Sequence, residues 1–429
     1  MTLPGFTGRR ERSQAAAPCV GLFGLYGSGN IGNDGSLDAM VRYLRAAHPD
    51  AVVDVMCSGP KRIRAQYGVE TTPHQWYIKC ADWTSGAPDI VLKVLGKGID
   101  AFRTAAWVRR HDVVIVPGTG ILETTLPIRP WGTPYALFLV CASGRLFGTK
   151  VALVSVGASA TSKRLTRWIL TLAARLAFYR SYRDARSRDA MRRAGPDTTQ
   201  DPIYPDLAFS LPAPAENPDP TGTVGVGLMD YYGGNDDRRQ ADELHASYVA
   251  KMKRFVQWLV DTGRNVRLFT GDDVDELVVR EVLDDLRASR PDLEPTRVVA
   301  EPVRSLTELM RQMAGVDTVV ATRFHNVLCA LRLSKPTLST GYAVKNVALM
   351  ADMGLAGFCQ SAGSLDVGQL IEQFTELESR STQLRQTMTD RNAAYAQLLD
   401  HQFTVLSTLL LPPTRPAHDG SRVSASREY

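Results

Sequence analysis

The chain has no Cys-x-x-Cys pair and no group of histidines and cysteines at zinc-ligand spacing. Its six cysteines, Cys19, Cys57, Cys80, Cys141, Cys329 and Cys359, are scattered, several of them in apolar runs. The sequence therefore predicts reduced thiols, no disulfide framework and no metal site. The first seventeen residues are polar, contain arginine and lack an apolar stretch of signal-peptide length, so no secretory leader is expected there. Uninterrupted hydrophobic runs are missing as well. The strongest, residues 131–156, is broken by Pro134, Arg145 and Lys150 and does not read as a membrane span. Residues 165–179 are apolar but short and hold Arg167 and Arg175; a buried or a membrane-facing amphipathic helix fits them, burial being the stronger reading. No patch interleaves Lys and Arg with aromatics, which argues against nucleic acid as a partner. Charge of one sign is also scarce. The net value of +5 suits an anionic substrate or weak attraction to an anionic membrane surface.

What is present is a globular composition, 44 % hydrophobic and 22 % charged over 429 residues. That length exceeds one ordinary core and suits two domains. Residues 20–26 read as a buried strand. Gly27, Gly29 and Gly32 follow it, and then comes a helix ended by His48-Pro49 and a second strand at 51–57. This is the opening unit of a doubly wound α/β domain. Further strands at 112–116, 151–156 and 179–182 end in glycine or polar residues, as parallel strands with ligand groups at their carboxyl edge do. A Pro-rich break at 211–222 precedes a second α/β series with strands at 224–228, 266–270, 297–300, 318–321 and 336–339. A long helix at about 369–408 closes the chain. The expected organisation is an N-terminal Rossmann-like domain at 18–212 and a C-terminal one with the closing helix at 221–410. Residues 1–17 and 412–429 are expected as disordered tails, and the functional site in a central cleft between the lobes.

Five strand-end segments carry candidate chemistry. Gly27, Gly29 and Gly32, with Asn30 and Asp34, form a glycine-rich turn at a helix N-terminus. Such a turn cradles an anion, or else serves turn geometry with Asn33 and Asp34 capping the helix. No acid clearly ends the second strand, which weighs against a dinucleotide. Gly118, Thr119 and Gly120 form a second loop with N–H groups for an anion or a sugar hydroxyl, or a plain tight turn. Arg183, beside Asp184, offers a fork for a carboxylate or phosphate, or a local ion pair. Arg323 and His325 stand two apart at a strand-to-helix turn, and an imidazole suits proton transfer near neutral pH. Tyr342 and Lys345 lie in the loop before the next helix, where Lys345 supplies a point charge.

Taken in order, these segments resemble the polysaccharide pyruvyl transferase family. The resemblance rests on GLYGSGNIGND at 24–34, PGTGILET at 117–124, YRSYRDARSRDAM at 179–191, PDLAF at 205–209 and the block ATRFHNVLCALRLSKPTLSTGYAVKNVALMADMGL at 321–355. In the last, Arg, His, Pro, Tyr, Lys and an Asp-x-Gly turn recur in register. Three positions depart from the family pattern: Thr119 replaces a glycine, Asn33 precedes the aspartate, and Phe324 stands where a smaller aliphatic is common. The resemblance implies a two-lobed GT-B-like fold, phosphoenolpyruvate as co-substrate with no resident cofactor or metal, and a pyruvate ketal as product. It implies Arg183, His325 and Lys345 as the functional trio, with Arg323 beside them. The partners would be phosphoenolpyruvate and a glycan or glycolipid acceptor, and the place the cytoplasm, with peripheral contact at the inner membrane surface.

Two other classes fit the same outline. A nucleotide-sugar glycosyltransferase of GT-B plan would use the second lobe for a nucleotide diphosphate, with Glu301 as the carboxylate near the ribose. A non-catalytic glycan-assembly protein would keep the fold without gathering Arg323, His325 and Lys345.

Overall fold

The computed structural model describes residues 17–76, 89–123, 129–215, 221–234, 237 and 239–411. The tails expected to be disordered fall almost wholly outside these residues. The first half of the chain alternates β1 (Cys19–Phe23), α1 (Ile31–Ala47), β2 (Val52–Cys57), α2 (Pro60–Tyr67), β3 (Glu70–Pro73), α3 (Asp89–Val108), β4 (Val113–Pro117), α4 (Thr133–Phe147), β5 (Lys150–Val156), α5 (Arg164–Leu176), β6 (Tyr179–Tyr182) and α6 (Ala185–Ala194). Its sheet is parallel, in the order β3-β2-β1-β4-β5-β6. That is the doubly wound order, with the reversal between β1 and β4 opening a crevice at the carboxyl edge. Strand β4, VVIVP, is buried at every residue. A strand covered on both faces needs this unbroken apolar run.

The second half repeats the plan with β7 (Thr223–Gly227), α7 (Ala241–Asp261), β8 (Asn265–Phe269), α8 (Glu276–Ser289), β9 (Val298–Ala300), α9 (Leu306–Met313), β10 (Thr318–Ala321), α10 (Phe324–Arg332), β11 (Thr337–Ser339) and α11 (Val344–Asp352). The order β11-β10-β7-β8-β9 is the first sheet's order less its sixth strand. Two helices close the fold, α12 (Val367–Ser379) and α13 (Ser381–Leu410).

The expected single closing helix is thus interrupted at Arg380, which ends one helix and starts the next. The second of the pair returns to the first lobe. Phe403 stacks on Tyr43 at 4.5 Å between ring centroids, and buried Gln402 bonds Ser155 and Ser181 at 2.9–3.0 Å. One hydrophobic cluster runs without a break from Val20 and Ile115 of the first lobe through Val226 and Leu328 of the second to Leu406. A separate cluster fills the opposite face of the first sheet, under α3, α4 and α5.

Strand β1 stops at Phe23, three residues short of the sequence reading. Tyr26 folds its ring over Gly24, where any side chain would collide with it, and its hydroxyl donates to the Pro117 carbonyl at 3.1 Å.

Candidate active site

Every segment singled out in the sequence lies at a strand's carboxyl end, and several meet where the two sheets face each other. The centre is Arg183, the first residue after β6. It is 7 % exposed, donates to Glu123 and to Asp206 at 3.3 Å, and has the Asp184 carboxylate 3.7 Å from its Nε, which makes no hydrogen bond. Glu123 follows the Gly118–Thr119–Gly120 loop and also accepts from Lys345 Nζ at 3.0 Å. One carboxylate of the first lobe therefore holds an arginine of its own lobe and a lysine of the other. Burial pushes the Glu123 carboxyl upward, but Arg183 and Lys345 outweigh it and hold it at about 2. Burial also lowers the Lys345 ammonium, in part against Glu123.

Phe324 lies between the two cations. Its ring faces the Arg183 guanidinium at 4.8 Å and Lys345 Nζ at 5.0 Å. An aromatic face attracts both, which a smaller aliphatic could not do. Next to it, at the start of α10, is His325, whose ring meets Phe324 edge-on at 5.2 Å. The His325 Nε2 is sealed from solvent and has no hydrogen-bond partner. Burial lowers this imidazole to about 4, with Arg183 and Lys345 pushing the same way and Asp206 and Glu123 opposing. At neutral pH the ring is uncharged and can accept a proton.

The ring is pressed on the N-terminus of α1. A Cβ on Gly32 would fall inside the imidazole. Asn30 caps this helix, accepting from the Gly32 and Asn33 N–H groups at 3.1 and 3.3 Å, so the cap is Asn30 rather than Asn33 or Asp34. Asp34 turns inward and accepts from the Gly27 N–H at 2.7 Å, which holds the glycine turn closed. Its burial raises its carboxyl pKa. Gly29, at φ +104°, faces Asp273 of the second lobe. Thr119 sits at φ 63°, a left-handed geometry that explains why the family pattern has glycine there. Gly118 abuts Ser36, leaving no room for a side chain.

The structure brings Arg183, His325 and Lys345 together, with Gly32 and the 118–120 loop around them. Arg323 is held by an acid of its own lobe. Its guanidinium grips Asp275 through two bonds of 2.6 and 3.0 Å, and Asp275 also accepts from the N–H groups of Asp230 and Gly271. The Tyr342 ring lies 5.6 Å from that of Tyr231, and its hydroxyl is close enough to both Arg323 and Glu123 to feel their charges. Glu301 pairs with Arg267 at 3.1 Å on the rim of β8 and β9. Sequence reasoning missed Glu123 and Asp206. Both stood inside quoted segments, but a lone acid in a loop carries no signal of the cation it will meet.

Arg183 and Lys345 face Glu123, Asp206 and Asp184, while His325 is neutral. Three carboxylates face the two cations, so an anionic ligand would compete with a carboxylate to bind them. Among the described residues, no group of three or more His, Cys, Asp and Glu side chains could hold a metal ion.

A family model described as polysaccharide pyruvyl transferase matches residues 30–343. A comparison with curated proteins finds no match. Among solved structures, the UDP-GlcNAc 2-epimerase of Neisseria meningitidis bound to UDP-GlcNAc is similar, at TM-score 0.54 and 11 % identity over 91 % of this chain and 99 % of that one. The UDP-GlcNAc 2-epimerase of Methanocaldococcus jannaschii gives 0.54 and 10 % over 83 % and 91 %. The lipopolysaccharide outer core galactosyltransferase WaaB in its apo form gives 0.51 and 13 % over 91 % and 100 %. At such identities the likeness is one of fold, and that fold is GT-B-like: two Rossmann-like lobes about a central cleft.

Proposed function

Because the chain belongs to the polysaccharide pyruvyl transferase family, we propose that it moves the enolpyruvyl group of phosphoenolpyruvate onto a sugar of a cell-envelope polysaccharide or glycolipid, working at the cytoplasmic side. Two sugar hydroxyls and phosphoenolpyruvate become a pyruvate ketal and inorganic phosphate. The observation that supports this reading best is the convergence of Arg183, Lys345 and neutral His325 from two lobes on the N-terminus of α1.

In this reading the donor's anionic groups displace Glu123 and take its place on Arg183 and Lys345. A charge-assisted fork and a point charge suit a carboxylate and a phosphate on one small frame. The neutral His325 imidazole accepts the proton of the first hydroxyl as its oxygen attacks C2. That proton passes to the methylene carbon, which becomes the methyl group. The C2–O bond to phosphate breaks, Arg183 and Lys345 stabilising the charge that develops on the leaving oxygen. The second hydroxyl then closes the ketal and its proton leaves with the phosphate. The donor is consumed, and no resident cofactor takes part in these steps.

The test is incubation of the protein with phosphoenolpyruvate and a panel of lipid-linked and free glycans, read by product mass and by phosphate release. The expected product carries one pyruvate ketal per phosphate released. Transfer of a sugar from a nucleotide donor, with phosphoenolpyruvate inert, would overturn the reading.

A further inference from the structure

The outer face of α5 is apolar and basic. Its inner side, Ile169, Leu170, Ala173 and Ala174, is buried under the first sheet. On the other side Leu165 is 44 % and Trp168 61 % exposed. Three residues apart, they share one face of the helix. Lys163, Arg164 and Arg167 are exposed around them. Helix α4 packs beside α5 and begins at the same sheet edge, where Trp131 is also exposed. The expected burial of this segment thus holds for only one of its two sides.

The charge pattern says what can cover the other. Between Glu123 and Asp184 the chain has nine Lys and Arg and not one acid. Arg180 and Arg183 pair with acids outside the stretch, and the other seven leave it strongly basic in a chain whose net charge is only +5. Self-pairing about a two-fold axis would bring like charges together and is disfavoured. Indole rings with basic neighbours match the boundary between lipid headgroups and acyl chains. Among the described residues, no helix is long and apolar enough to cross a membrane, so contact would be from one side.

We propose that the start of α5 docks the protein on an anionic lipid surface. Trp168, Leu165 and Trp131 enter the headgroup layer, and Lys163, Arg164 and Arg167 meet lipid phosphates. The inference goes beyond the reaction and does not need it. Where the proposed reaction holds, docking also places the site well, since α5 starts at the carboxyl edge that carries Gly157 and Arg183.

The test is flotation of the full chain with vesicles of phosphatidylcholine, with and without phosphatidylglycerol, at low and high salt. Binding is expected only with phosphatidylglycerol, and salt should weaken it. Leu165→Glu with Trp168→Glu should cut partitioning by more than about tenfold. Each of Lys163→Gln, Arg164→Gln and Arg167→Gln should cost about fivefold. A measurement on the unaltered protein guards against misfolded variants: brominated lipids should quench its fluorescence more than that of Trp168→Phe. Equal binding to both vesicle types, no binding to either, unchanged partitioning of the variants, or a dimer dissolved by Trp168→Glu would each overturn the proposal. No substrate is present, so a wrong reaction cannot produce any of these results.

Discussion

His325 bears most of the chemistry assigned to a single residue. General acid–base groups contribute ~10²–10⁴-fold, so His325→Ala should lower turnover by about that much with the protein still folded. The direction of its shift gives a second check. A folded value of about 4 lies below the ordinary histidine value of 6.5. The folded protein therefore resists a proton that the unfolded chain accepts, and stability falls as pH drops from 6.5 through 4. His325→Asn should remove that slope from melting curves. The acid limb of kcat/KM should likewise lie near 4, whereas a limb near 6.5 would mean a solvated imidazole. Glu123 contributes in a lower window, its stabilisation being lost as pH falls from about 4.5 through about 2. Arg183, His325 and Lys345 were legible because strand ends and the resemblance pointed to them. Arg323 was visible by the same signals; its pairing with Asp275 was not, since spacing along a chain does not state which acid a guanidinium meets.

Among elements, the N-terminus of α1 decides how close the lobes come. Gly32 has no side chain, and His325 occupies the space one would fill. On helix propensity alone Gly32→Ala would stabilise the protein by up to ~1 kcal/mol. The contact predicts the opposite sign, a loss of about 1–3 kcal/mol from overpacking, with turnover reduced as the imidazole is pushed aside. Thermal melting and a phosphate-release assay check both. The sequence pattern of strand, glycine turn and helix located this element well. It missed α2, a short polar helix with two buried side chains, Ile63 and Tyr67, which leaves little periodicity to read. It also ran α12 and α13 together, because the break at Arg380 has no proline or glycine to mark it.

Across the whole molecule, two similar lobes and one strap share one continuous hydrophobic cluster, with a second on the far face of the first sheet. Alternating strands and helices made the two-lobed plan readable, and the Pro-rich stretch at 211–222 separates the two sheets. The return of α13 to the first lobe was not readable, because contacts such as Tyr43 with Phe403 join residues hundreds of positions apart. The same long-range pairing puts Glu123 of one lobe on Lys345 of the other. It gives the free protein a carboxylate where the account seats the donor. Calorimetric titration of phosphoenolpyruvate into the unaltered protein and into Glu123→Gln, with uridine diphosphate as competitor, tests this most directly. Binding to both is expected, about tenfold tighter to Glu123→Gln, with no displacement by uridine diphosphate. Equal or weaker affinity for Glu123→Gln, or displacement by the nucleotide, would contradict it.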